Sequence, residues 1–206
     1  MKATFFIISI LIGTLSYAQI EAVEITPTYG YTINGSVTQY GQFYDVKDAV
    51  SFGGVLDLEL AANRNVEVSY RRSVQTVQYV ETFSYGEFEV GMEHFHIGIF
   101  QGIGKHDKIK PYWNFLLGGI RYYGQERRWL DVYRFSMAAG VGAKLFLTDN
   151  LGIRFQSQLA LPMSYTGAGL FCDGSGYCSG GASFNVPIAH LDLSAGLILR
   201  ISTKED

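Results

Sequence analysis

Ten charged side chains share one property: each falls on the polar parity of a segment whose alternate residues are apolar. They are Glu24, Asp57, Glu59, Glu67 and Asp192, with Arg71, Arg134, Lys144, Arg154 and Arg200. Five acids against five bases are what an ionic core needs, because charges taken out of water must be paired. The expectation is a salt-bridged lumen that fills a closed barrel. The functional alternative is a narrow path for an ion or small solute.

Three other groupings could carry chemistry. His94 and His96 are two apart, so a strand would point both imidazoles the same way, as metal sites require. His190 shares their polar parity on a distant strand expected to lie across the barrel, and no carboxylate or Cys completes a ligand set by spacing. Satisfied polar histidines are therefore expected, with no metal and no cofactor. Five residues separate Cys172 from Cys178 in a glycine-containing segment. In a secreted chain the default for such a pair is a disulfide, here one that stiffens an exposed loop. His190 and Ser194 are four apart on one strand face, the residue types of a lipid-modifying hydrolase. No nucleophile motif surrounds Ser194, so an enzyme is the alternative rather than the expectation.

The elements that would position these residues are strands. From Tyr133 to Leu147 every second residue is apolar, through Phe135, Met137, Ala139, Val141, Ala143 and Leu145. After Thr148-Asp149-Asn150 the pattern resumes with Leu151, Ile153, Phe155, Leu159 and Leu161. Period two on both sides of a three-residue polar connector is an antiparallel hairpin. Arms this long match the roughly 9–11 residues of a tilted bilayer-crossing strand. Further segments near 21–33, 49–60, 66–75, 94–99, 112–123 and 187–201 bring the count to eight; the faces of 112–123 are not assignable. Connections alternate between short (61–65, 104–108, 148–150) and long (35–48, 76–89, 124–131, 162–183). That asymmetry is the one of outer-membrane barrels, with short periplasmic turns, long outside loops and both termini periplasmic.

Residues 1–18 read as a signal peptide: Lys2, the apolar run Phe5–Ile12, then Ser16-Tyr17-Ala18. The barrel domain then occupies 19–206, and losing Lys2 moves the formal charge from −3 to −4. This balance, without a basic cluster, argues against nucleic acid as a partner. Only 17% of residues are charged, low against the usual quarter, as suits a wall facing lipid.

Alternation alone fits a soluble, lipocalin-like barrel equally well. Two features, besides the loop asymmetry that a soluble meander has no reason to show, favour apolar-out. The polar parity is rich in small residues (Gly140, Gly142, Gly152, Ala160, Gly196), which a crowded interior needs. Aromatics such as Tyr29, Tyr31, Phe52, Tyr112, Trp113, Tyr122, Tyr123, Tyr133 and Phe135 gather toward strand ends, as in membrane girdles. Arg72 breaks the pattern by falling on the apolar parity, so either a bulge shifts the register or the side chain snorkels to the headgroups.

With its leader, eight alternating strands and phrases such as Lys110-Pro111-Tyr112 before Gly118-Gly119, the chain resembles the small porin-family outer-membrane β-barrel domain of Bacteroidetes-type bacteria. The resemblance covers the whole mature chain and implies an integral outer-membrane protein with no enzymatic activity assigned. The expectation is an eight-stranded antiparallel up-and-down transmembrane β-barrel, a monomer with a structural, adhesive or surface-binding role. Its partners would be outer-membrane lipid or lipopolysaccharide, and a surface ligand held by the long loops.

Overall fold

The computed structural model describes residues 20–39, 42–61, 64–81, 84–104, 108–125, 131–172, 178–186 and 188–202. The proposed signal peptide lies outside the described residues. Eleven strands follow in order: β1 (Ala22–Asn34), β2 (Ser36–Gln39), β3 (Gln42–Val46), β4 (Ala49–Ala61), β5 (Arg64–Glu81), β6 (Ser84–Gly102), β7 (Ile109–Gly124), β8 (Asp131–Phe146), β9 (Leu151–Cys172), β10 (Cys178–Asn185) and β11 (His190–Ser202).

Eight of these close a ring in the order β1, β4, β5, β6, β7, β8, β9, β11 and back to β1, every pair antiparallel. Closure leaves the ring without an unpaired edge. The other three strands are additions at one end: β2 and β3 form a hairpin that docks on β5, and β10 pairs with the far part of β9. Residue Ala22 pairs with Ser202 at the opposite end, where the short connections lie.

Which face is outward follows from exposure. Ile25, Phe95, Ile97, Val141, Phe155 and Leu197 stand exposed on the outer wall. Residues of opposite parity, among them Glu24, Asp57, Glu67, Lys144, Arg154 and Asp192, are buried inside. A soluble barrel with an apolar lumen would have the reverse arrangement, so that alternative is overturned.

Three of the four connections expected to be long loops are corrected. The segment 76–89 is not a long loop: β5 runs to Glu81, β6 starts at Ser84, and those two residues pair. Segments 35–48 and 162–183 likewise carry β2, β3, β10 and the end of β9. Above the apolar band both faces of a strand are wet, so alternation ceases in sequence while the hydrogen-bond ladder continues.

Strand β7 explains its own ambiguity. Trp113, Phe115 and Leu117 face outward, while Leu116 and Ile120 are buried inside with Met92, Ala138 and Ala160 in a small apolar cluster. A strand apolar on both faces has no period to read. Two expected girdle aromatics belong to the lumen instead: Tyr112 is buried there, and Tyr122 reaches His190. Strands also approach closely over inward glycines. A Cβ at Gly118 would collide with the Phe95 carbonyl, so only hydrogen fits there. Gly104, in the β6–β7 turn, has φ 81°, a left-handed conformation that favours glycine.

Arg72 stays on the outward face. The β4–β5 register shifts only between Glu59 and Ala61, and Arg72 pairs in sequence with Phe52 and Glu93. The bulge explanation is therefore excluded.

Candidate functional site

The lumen is built from a register that stacks like charges along each wall. Glu24 on β1 pairs directly with Asp57 on β4, and Asp57 with Glu67 on β5. On the other side Lys144 of β8 pairs directly with Arg154 of β9. Like charges directly opposite across strands repel. What offsets this is the narrow bore, which brings the acidic row and the basic pair into contact across the axis.

Lys144 Nζ donates to Glu24 and, at 2.6 Å, to Asp57. Arg154 Nη1 donates to Asp57 at 2.8 Å and its Nη2 to Glu67 at 2.6 Å, while Nε donates to Gln156 at 2.9 Å. Asn114 donates to the second oxygen of Glu67 at 3.0 Å. The cations also rest on rings: Lys144 Nζ is 4.1 Å from the Phe100 centroid, and the Arg154 guanidinium 4.8 Å from that of Tyr112. Side chains of Lys144, Arg154, Asp57 and Glu67 are all at most 2% exposed, so the pairs are unscreened by water.

A second group lies further along the axis. Arg71 Nε is 3.2 Å from Asp192 and its Nη2 donates to Gln158 at 2.7 Å. Asp192 also accepts from Thr32 at 3.0 Å and Ser51 at 2.6 Å. At the short-turn end Arg200 donates to Glu59 at 2.6 Å and stands 4.0 Å from Glu24, half-exposed at the mouth.

Nine of the ten charged residues thus fall in these groups, and Arg134 does not. It is exposed, and among the described residues its guanidinium donates to the neighbouring Tyr133 carbonyl, at 3.5 Å. Its parity is inward, but pairing of β8 with β9 begins at Phe135. Arg134 therefore stands beyond the closed part of the ring, where inward parity no longer means burial. Of the contacts expected from interleaving of the first and last strands, only Glu24 with Arg200 is present. The main pairing runs across the barrel instead.

The histidines are also brought together by the narrow bore. The rings of His94 and His190 are 5.8 Å apart, and those of His94 and His96 5.9 Å apart. His190 is held by Tyr122 Oη at 2.9 Å and Asn34 Oδ1 at 2.6 Å, which occupies both ring nitrogens. His94 has no hydrogen-bond partner on either nitrogen. Among the described residues no group of three or more His, Cys, Asp or Glu has the arrangement to hold a metal. Both ring nitrogens of His190 are taken by Tyr122 and Asn34, so neither is bonded to Ser194. Sequence reasoning missed Gln156, Gln158, Thr32, Ser51 and Asn114, the uncharged partners that complete the ionic groups. Inward parity is visible for Gln156, Gln158, Thr32 and Ser51 but not for Asn114, whose strand has no assignable faces, and which neighbours any of them serve depends on the register.

The backbone register sets Cys172 opposite Cys178 in the β9–β10 pair; their side chains lie outside the described residues.

An apolar outer wall, a buried ionic lumen and complete ring closure define the architecture of a small transmembrane β-barrel. Solved structures share it. The chain is similar to the outer membrane protein OprG from Pseudomonas aeruginosa, with TM-score 0.65 at 10% identity over 90% of this chain and 98% of that one. It is also similar to Neisserial surface protein A, with TM-score 0.54 at 12% identity over 86% and 97%. At these identities the likeness is one of fold. No family model matches the sequence, and no curated protein does.

Proposed function

We propose that the chain is an integral outer-membrane barrel with a closed lumen, whose work is structural or done by binding at its extramembrane end. The observation that carries this reading is the lumen itself. Arg154, Tyr112, Lys144, Met92, Leu116 and Ile120 are fully buried there. Near the short-turn mouth, the cavity beside Glu24, Lys144 and Phe100 measures about 30 Å³, roughly the volume of one water. Single-channel recording in planar bilayers is the test. The expected result is a flat baseline over the voltage range that opens no lesions. Reproducible conductance steps from refolded protein would favour the narrow-channel reading.

The outer membrane is the compartment consistent with a lipid-facing barrel of this size, and the short-turn end would then be periplasmic. The likeness to the Bacteroidetes-type porin family belongs to the same proposal, as do the leader at 1–18, lipopolysaccharide around the wall, a surface ligand at the loops and a monomeric state. Aromatics in the segments expected as loops would serve binding or pack those loops together; of them, Tyr44 and Phe88 belong to β3 and β6. Tyr40, Phe83 and Tyr177 lie outside the described residues. Against the rival lipid hydrolase stand the two occupied nitrogens of His190. Ser194→Ala should accordingly leave any lipid A-modifying activity of expressing cells unchanged.

A disulfide between Cys172 and Cys178 is part of this reading. Directly paired residues of an antiparallel ladder have Cα atoms about 4.5–5.5 Å apart, inside the range a disulfide spans. Alkylation of unfolded, unreduced protein should add no label, and alkylation after reduction should add two; labelling before reduction would contradict the bond.

A further inference from the structure

Resting on the membrane reading, we infer that Arg72 and Tyr123 form an outward-facing site for the phosphate of a lipid in the outer leaflet. The site sits where the apolar band ends. On β6 the outward residues Phe95, Ile97 and Ile99 give way to Glu93; on β7, Phe115 and Leu117 give way to Arg121. Arg72 pairs with Glu93, and Glu93 with Arg121, so the three make one charged row along the hydrogen-bonding direction. A row of charges here marks the headgroup level, since Arg at the midplane of a barrel wall is strongly unfavourable.

Within the row the carboxylates are already taken. Arg121 holds Asp131 with two bonds, at 2.9 and 3.0 Å, and Glu93 with one at 3.2 Å. The other Glu93 oxygen accepts from Tyr70 at 3.3 Å. Arg72 is left without an ion-pair partner among the described residues. Its guanidinium instead lies 5.7 Å from the centroid of the Tyr123 ring, which carries Arg121 at 5.1 Å as well. The ring is seated on Gly91, where a Cβ would collide with it.

Two neighbouring donors are then unmatched: Arg72 Nε and Tyr123 Oη are both buried and neither has an acceptor. The unpaired Arg72 guanidinium and the unmatched Tyr123 hydroxyl beside it call for an anion that presents several oxygens. At headgroup depth that anion is a lipid phosphate, whose geometry the planar guanidinium fork matches. The tyrosine adds a neutral hydrogen bond.

The test is native mass spectrometry of the refolded barrel in a nonionic detergent, with lipid A as the probe and its dephosphorylated form as the comparison. Heat-modifiable gel mobility of each variant checks the fold first. A wild type that shows no such shift would overturn the membrane reading, independently of this site. With the barrel intact, Arg72→Gln should lower lipid A retention about tenfold or more, as loss of a charge-assisted contact implies. Tyr123→Phe should lower it a few-fold, as for a neutral hydrogen bond. Lys110→Gln, at the short-turn end, should leave it unchanged. Equal retention by wild type and Arg72→Gln would overturn the assignment, as would equal retention of phosphorylated and dephosphorylated lipid. Removing a charge from a lipid-facing wall does not endanger folding, so the first variant remains informative.

Discussion

Arg154→Leu should cost about 3–5 kcal/mol of unfolding free energy, the range for breaking a buried ion pair by removing one partner. The position is unusually exposed to this penalty. Arg154 bridges Asp57 and Glu67, and those two carboxylates are direct strand neighbours in a row that also includes Glu24. Without the guanidinium, Lys144 is left to serve both Glu24 and Asp57, Glu67 keeps only Asn114, and the next cation, Arg200, stands 4.0 Å from Glu24 at the mouth. The measurement is urea unfolding in detergent or lipid, followed by gel mobility. A double-mutant cycle sharpens it: adding Glu67→Gln to Arg154→Leu should recover part of the loss, because it removes one of the anions left behind. A loss below about 1 kcal/mol, the range of exposed ion pairs, would mean that water reaches the lumen.

The second large effect belongs to the other face. Val141→Arg places a charge at the middle of β8, on a side chain 61% exposed on the outer wall. At the bilayer midplane this should cost about 2–4 kcal/mol, falling to about 0–1 near the interfaces. Thr76→Arg is the matched control. It lies on the outward face of β5 above the charged row that contains Arg72, and should be nearly neutral. Lipid-reconstituted unfolding of both variants reads the difference. Equal costs at the two positions would contradict a hydrocarbon-facing wall.

How much of this is legible in sequence depends on the kind of information each feature needs. Parity along a strand assigns a side chain to a face, and it correctly separates Ile25, Val141 and Leu197 from Glu24, Lys144 and Arg154. Partnership is another matter. That Lys144 meets Glu24 and Asp57 across the axis follows from the register of eight strands, a quantity that no single strand encodes. Arg134 shows the limit of parity itself, since inward means buried only while strands flank both sides. Strand β7 shows another, because its apolar inner face erases the period. The loop extensions of β5 and β6 were hidden for a third reason: where water bathes both faces, nothing selects alternation. Arg72, in contrast, stands out in sequence as an irregularity. Only the neighbouring strands reveal that it is a surplus cation beside an unmatched hydroxyl.

The orientation of the wall can be measured most directly with nitroxide labels at Met137, Ala139, Val141 and Ala143, introduced singly into a background lacking Cys172 and Cys178 and reconstituted in bilayers. All four side chains share the outward parity of β8. Collision with oxygen, which concentrates in hydrocarbon, should exceed collision with a water-soluble nickel chelate at every position and peak toward the middle of the series. A label at Thr148, in the turn, should show the reverse. Nickel access at the four strand positions equal to that at Thr148 would contradict a lipid-facing apolar wall, and with it the closed ionic lumen as the core of a membrane barrel.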